Sequence, residues 1–178
     1  MSNLVEQLHE DHVNVSRILD LIETEVGRAR DEEMPDLDLL EDAMRYMINY
    51  SDLVHHPKED SIFAKLVQKE PGFADEAEVL RQEHETLARL GGEFLDVVRA
   101  AEHGDFVLRK DVISRGSEYV EALRSHMDAE EVGFLKRARA SLSSEDLEEI
   151  EAAFASSHDP LVTESLQVEY AALYRSLT

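Results

Sequence analysis

No cysteine occurs among the 178 residues, which excludes disulfides, thiolate zinc sites, ordinary iron–sulfur ligation and cysteine nucleophiles. Any metal must therefore be held by histidine, carboxylate or tyrosine. Tryptophan is also absent, and glycine and proline are scarce, with 7 and 4 residues. With abundant Leu, Glu, Ala, Asp, Arg and Ser, this scarcity fits a helical protein better than a sandwich or a disordered chain. Positive charge is in short supply too: 18 Lys and Arg stand against 40 Asp and Glu, a formal charge of −22. Such a field repels phosphate backbones and anionic lipid headgroups, so neither nucleic acid nor membrane is expected as a partner. No apolar run approaches the ~20 residues of a membrane span. The N-terminal stretch MSNLVEQLHEDH lacks the basic and apolar regions of a signal peptide, and a cytoplasmic location is the expectation.

What is present is helical periodicity broken by few signals. Met34-Pro35-Asp36, Glu70-Pro71-Gly72 and His103-Gly104-Asp105 interrupt long periodic stretches, with Gly104 suited to a helix C-terminus and Asp105 to the next N-cap. This predicts helices near 2–28, 36–69, 74–103 and 106–140. Their lengths and short connections fit an all-α, up-down-up-down antiparallel four-helix bundle over residues 1–140. Ser143 with Asp146, and Asp159 before Pro160, mark starts of two shorter helices. Residues 141–178, patterned by Leu147, Ile150, Phe154, Leu161, Leu166, Tyr170, Leu173 and Leu177, form a C-terminal helical extension. It packs on the bundle or at a homodimer interface.

Each long helix interrupts its apolar seam with histidine. Steps of three and four run through Leu4, Leu8, His12 and Val15 in the first, and through Leu80, His84 and Leu87 in the third. The second runs through Met44, Ile48, Asp52, His55, Glu59 and Ile62, and the fourth through Leu123, His126, Glu130 and Phe134. Counted from the turns, the four histidines lie at matched depths, because mismatches of one to three residues displace them by only ~1.5–4.5 Å along the axis. An i to i+4 step leaves two side chains only ~40° apart, so His55–Glu59 and His126–Glu130 each offer an imidazole and a carboxylate from one face. Buried imidazoles and carboxylates need mutual partners or a cation. Four imidazoles and two carboxylates suit a pair of divalent first-row metals, with each carboxylate serving one cation or bridging two. The metal-ligand set is thus His12, His55, Glu59, His84, His126 and Glu130.

Of the other candidates, His56 and Asp60 lie about 100° round the helix from the seam residues and are assigned to outer contacts or the surface. Pro57 bends or loosens the helix. His9 is assigned to capping or the surface, His103 to a helix C-terminus, His158 to a loop and Tyr119 to the core. The ferritin-like pattern needs Glu-x-x-His on two helices, but three residues before the histidines stand His9, Asp52, Arg81 and Leu123.

The segments EDHVNVSRILDLIE, HHPKEDSIF, RQEHETL and HMDAEEVGFL resemble the hemerythrin-like family, the HHE cation-binding domains, over about residues 1–140. The resemblance implies two non-haem iron ions, oxo- or hydroxo-bridged and replaceable by other divalent first-row metals, held by those six residues with Glu59 and Glu130 as bridges. The expected function is binding of a small diatomic ligand, oxygen or nitric oxide, or sensing of oxygen or iron. The alternative is a di-iron enzyme of oxidative or nitrosative stress, acting on peroxide, or an iron donor for iron–sulfur repair; a third reading is a structural metal-binding bundle. One departure stands out. Oxygen-carrying hemerythrins have a His-x-x-x-His pair on the third helix, whereas this chain has Ala88 four residues after His84. That leaves a fifth position absent, or filled by His9, by an acid such as Glu83, or by solvent.

Overall fold

The computed structural model describes residues 4–104, 107–154 and 169–177. Every regular element among them is helical. Helix α1, Leu4–Arg30, buries Leu4, Leu8, His12, Val15, Leu19, Ile22 and Val26 along one stripe, the period-3.6 face expected of a core-facing helix. After the turn at 31–36, Asp36 accepts from Leu39 N–H and caps α2, Leu37–Tyr46. Helix α3 is His56–Lys69, and a 3₁₀ turn, Pro71–Phe73, leads into α4, Ala74–Glu102. Gly104, at φ +80°, follows α4 in the left-handed conformation that glycine adopts without strain. Helix α5 is Arg109–Ala129, α6 is Leu135–Ser141, α7 is Ser144–Ala153 and α8 is Ala171–Leu177.

The expected second and fourth helices are not continuous α-helices. A π-helix, Met47–His55, joins α2 to α3, and a shorter one, Glu130–Phe134, joins α5 to α6. The first ends with His56 N–H bonded to the Ser51 carbonyl, five residues back. Pro57 supplies the reason: it has no N–H for the Leu53 carbonyl, and its ring would strike that carbonyl in an α-turn. Widening the turn relieves both. The seam shifts as a result: Met47, Tyr50 and Ser51 are buried while Ile48 and Asp52 are only half-buried.

Helix α1 packs against α5, α5 against α4, and α4 against α2 and α3. The apolar interior forms two clusters. Leu4, Leu8, Ile62, Phe63, Leu80 and Phe134 belong to one. Val15, Leu19, Met44, Tyr50, Leu87 and Leu123 belong to the other. On every long segment the histidines and glutamates of interest fall between them, so a polar layer lies between two apolar ones.

The capping box of α7 forms as the sequence predicts, Ser143 and Asp146 bonding reciprocally. Asp146 also pairs with Lys69 of α3, and Ile150 joins the core. At α8, Ala172 N–H donates to Asp42 and Leu173 is buried. The expected caps at Asp105 and Asp159-Pro160, together with His158, Leu161 and Leu166, lie outside the described residues. Among the described residues, no helix is long and apolar enough to cross a membrane.

Candidate metal centre

Glu59 and Glu130 are fully buried and stand between the histidines. Oε1 of Glu59 lies 3.5 Å from Nε2 of His12 and 3.3 Å from Nε2 of His55, while its Oε2 lies 3.6 Å from Nε2 of His84. Glu130 repeats the arrangement from the other side. Its Oε2 lies 3.4 Å from Nε2 of His12, and its Oε1 lies 3.6 Å from Nε2 of His84 and 3.3 Å from Nε2 of His126. Each carboxylate thus turns one oxygen to the His12 half of the cluster and the other to the His84 half. All six residues singled out from the sequence come together.

A seventh joins them. His56 is buried, its ring stacked on His84 with centroids 4.2 Å apart. One ligand atom each from His56, Glu59, His84 and His126 can lie within 4.8 Å of one another, as can one each from His12, His55 and Glu59. This corrects the surface alternative for His56. The 100° separation of neighbours on an α-helix does not carry across the π-turn, which delivers both His55 and His56 to the interior.

The ring nitrogens facing away from the cluster are held by acids. Nδ1 of His55 pairs with Asp11 at 3.0 Å, Nδ1 of His84 with Asp60 at 3.1 Å, Nδ1 of His126 with Glu83 at 2.8 Å and Nδ1 of His12 with Glu131 at 2.9 Å. Nδ1 of His56 lies 3.4 Å from Asp52. An acid on Nδ1 fixes the tautomer whose Nε2 lone pair points inward, the usual support of a metal-ligating imidazole. Asp60 is therefore a histidine partner and not simply a solvated acid. Helical periodicity does not single out Asp11 and Glu131, although the sequence carries a signal for them: each of the four acids adjoins a cluster residue, as Asp11-His12, Glu59-Asp60, Glu83-His84 and Glu130-Glu131.

The remaining candidates lie outside the cluster. His9 is half-exposed and shares Oε1 of Glu131 with His12. Nδ1 of His103 donates to the Arg99 carbonyl at the end of α4. Tyr119 is buried, and burial together with Asp52 pushes its phenol up.

The donor set fits a cation. His12 Nε2, His84 Nε2, His126 Nε2 and both carboxylate oxygens of Glu59 and Glu130 are buried without a hydrogen-bond partner. Left unsatisfied, such atoms cost about 1–3 kcal/mol each, more when charged. Nitrogen and oxygen donors of this kind suit first-row divalent metals. Without metal, protons take the cation's role. Burial opposes charge on His12, but Glu130 and Glu59 overcome it and raise the imidazole to about 11. At His55 burial is overcome by Glu59 and Asp11, and at His84 by Asp60, Glu130 and Glu59; both rise to about 9. His126 is raised by Glu130 and Glu83 against its own burial. His56 is lowered, burial outweighing Asp52. Glu59 falls to about 2 despite burial and Glu130, through His55 and His12; Glu130 is held well below the usual range by His12, His126 and His84 in spite of its burial.

The family model of the hemerythrin HHE cation binding domain matches residues 3–138. The chain belongs to that family. Membership points to cation binding, and the buried histidine–glutamate groups of this hemerythrin-like protein could hold a metal. Searches of curated proteins and of solved structures returned no significant match.

Proposed function

We propose that this chain is a non-haem di-iron protein that binds a small diatomic ligand, oxygen or nitric oxide, or senses oxygen or iron. One observation carries the reading: Glu59 and Glu130 each turn their two oxygens to opposite halves of one buried cluster, the disposition of carboxylates that bridge two cations. His12 and His55 would hold one iron, and His56, His84 and His126 the other. Both glutamates would serve both ions.

The donor count is unequal, two imidazoles against three, which leaves the His12–His55 half with more room for an exogenous ligand. Val15, Ser51, Leu123 and Met127 join His12, His55, His56, His126 and Glu130 around a tightly packed crevice, which keeps bulk water from the cluster. A ferrous pair held there would supply reducing electrons to a small ligand. The chain itself orients the imidazoles through their Nδ1 acids, excludes bulk water with the flanking apolar clusters and holds compensating charge on Glu59 and Glu130. In this reading the four long helical segments run up-down-up-down, residues 1–140 form the functional unit and residues 141–178 are an extension.

The test is iron per chain together with the optical spectrum of anaerobically reduced, iron-loaded protein, followed through oxygen addition and removal. About two irons and a reversible oxygen-dependent band support ligand binding or sensing. Two irons with irreversible oxidation and multiple turnovers of peroxide shift the assignment to a stress enzyme. A folded protein that cannot retain two metals defeats the di-iron reading.

A further inference from the structure

We propose that Tyr50 is a redox-active tyrosine that donates an electron to the metal centre while its phenolic proton passes to Asp11. The proposal rests on the di-iron reading above but is argued from contacts around Tyr50 that the reading does not use. The Tyr50 hydroxyl donates to Oδ2 of Asp11 at 2.9 Å, and the same oxygen pairs with Nδ1 of His55 at 3.0 Å. A phenol, a carboxylate and a ligand imidazole therefore share one buried oxygen, and the Tyr50 and His55 rings are 6.5 Å apart.

Three features make Tyr50 the side chain that oxidation reaches. The chain has no Trp and no Cys, so tyrosines are its most readily oxidised groups by one electron. Losing an electron from a phenol becomes far easier when a base takes its proton in the same step, and Asp11 is placed to do so. The Lys58 ammonium lies 5.8 Å from the centroid of the Tyr50 ring, which disfavours a cationic ring and ties the electron's departure to the proton's.

The step balances as follows. With a peroxide as the oxidant that has raised the centre, Tyr50 gives one electron to the iron pair and its O–H proton to Oδ2 of Asp11. A neutral phenoxyl radical, a carboxylic acid and a centre one electron more reduced remain. A small donor of the ascorbate or phenol class returns one electron to the radical and releases its own proton to solvent, while Asp11 gives the phenolic proton back to the Tyr50 oxygen and becomes a carboxylate again. A path for that electron is built in. Tyr46 stacks on Tyr50 with centroids 5.6 Å apart, Tyr170 meets Tyr46 edge-on at 6.1 Å, and the partly exposed Arg45 lies 5.4 Å from the centre of the Tyr170 ring. A core needing only apolar bulk would be served by phenylalanine at position 50.

The experiment has two arms on the full chain. In the first, iron-loaded protein of measured iron content is mixed with hydrogen peroxide, freeze-quenched and examined by electron paramagnetic resonance, with ring-deuterated tyrosine to identify a tyrosyl signal. In the second, metal-free protein is oxidised by a flash-generated ruthenium(III) polypyridyl complex. The expected result is a tyrosyl radical in both arms that is lost in Tyr50→Phe and strongly reduced per iron pair in Asp11→Asn. A radical that persists in Tyr50→Phe overturns the proposal, as does absence of a tyrosyl signal in wild-type protein that holds two irons. If the protein holds no iron, the di-iron reading fails by itself, and the photochemical arm still decides whether Tyr50 with Asp11 is the oxidised pair.

Discussion

Asp11 hydrogen-bonds Nδ1 of His55 at 3.0 Å, although its neighbour in sequence is His12. The same displacement recurs around the bundle. Asp60, beside Glu59, holds His84; Glu83, beside His84, holds His126; Glu131, beside Glu130, holds His12. Each helical segment thus places at least one group in the cluster and, with a residue adjacent to such a group and turned about 100° away, steadies the imidazole of the next segment. The four contacts close into a ring. Removing any member frees one imidazole to rotate, so Asp11→Ala, Asp60→Ala, Glu83→Ala and Glu131→Ala should each weaken metal binding by about 10–100-fold. Competition titration against a chelator measures this, and affinities unchanged in all four variants would show the ring to be incidental.

The correction at His56 makes a prediction that the sequence alone would have stated in reverse. His56→Ala removes a buried imidazole from the His84–His126 half, and loading should fall from two metals toward one, as it should for His84→Ala and Glu130→Ala. Asp60→Ala leaves every donor atom in place and should weaken binding without changing the stoichiometry. Metal content per chain after gel filtration separates the two patterns. Equal stoichiometry in wild type and His56→Ala would return His56 to an outer role.

The seams on α1 and α4 were legible because a plain α-helix has one period, and every member from Leu4 to Val26 and from Ala77 to Val98 is buried. The six cluster residues emerged from the same periodicity plus matched depth. His56 did not, because nothing in a 3.6-residue rhythm announces a π-turn. Pro57 predicts a loosening of the helix, which the π-helix before it shows, but the consequence, an inserted residue that turns two consecutive histidines inward, depends on how the turn relaxes. Asp11 and Glu131 were missed for a related reason: their partners lie on other segments, and cross-helix pairing is set by packing, not by spacing along one helix.

Packing also sets the tolerance of Gly116. A β-carbon there would come 2.5 Å from Cγ2 of Val26 and 2.9 Å from Cζ of Phe94, so α1, α4 and α5 approach one another only because this position has no side chain. Gly116→Ala gains helix propensity of about 1 kcal/mol but must push apart two well-packed neighbours, a cost of about 1–3 kcal/mol. Net destabilisation is expected, lowering the melting temperature by a few degrees, whereas alanine at Gly92, with open space around it, should raise it. Thermal unfolding of the two variants beside wild type tests the contrast.

The charge state of the cluster predicts opposite pH responses with and without metal. In metal-free protein, His55 and His84 are raised from 6.5 to about 9 and His12 to about 11. Each binds its proton more tightly folded than unfolded, so its contribution to stability is complete below pH 6.5 and is lost as pH rises through 9 and beyond. Glu59, lowered from 4.5 to about 2, contributes above pH 4.5 and loses that contribution as pH falls through about 2. Stability of the metal-free protein should therefore be greatest near pH 4.5–6.5 and decline toward pH 9. Metal binding must expel the same imidazole protons, so its affinity rises with pH over the same range. Thermal unfolding with excess chelator, and with ferrous iron under anaerobic conditions, should show the melting temperature falling from pH 6 to pH 9 in the first case and the stabilisation by metal growing in the second. A metal-free melting temperature that stays flat across that interval would mean that the imidazoles are already neutral and that protons do not take the cation's place.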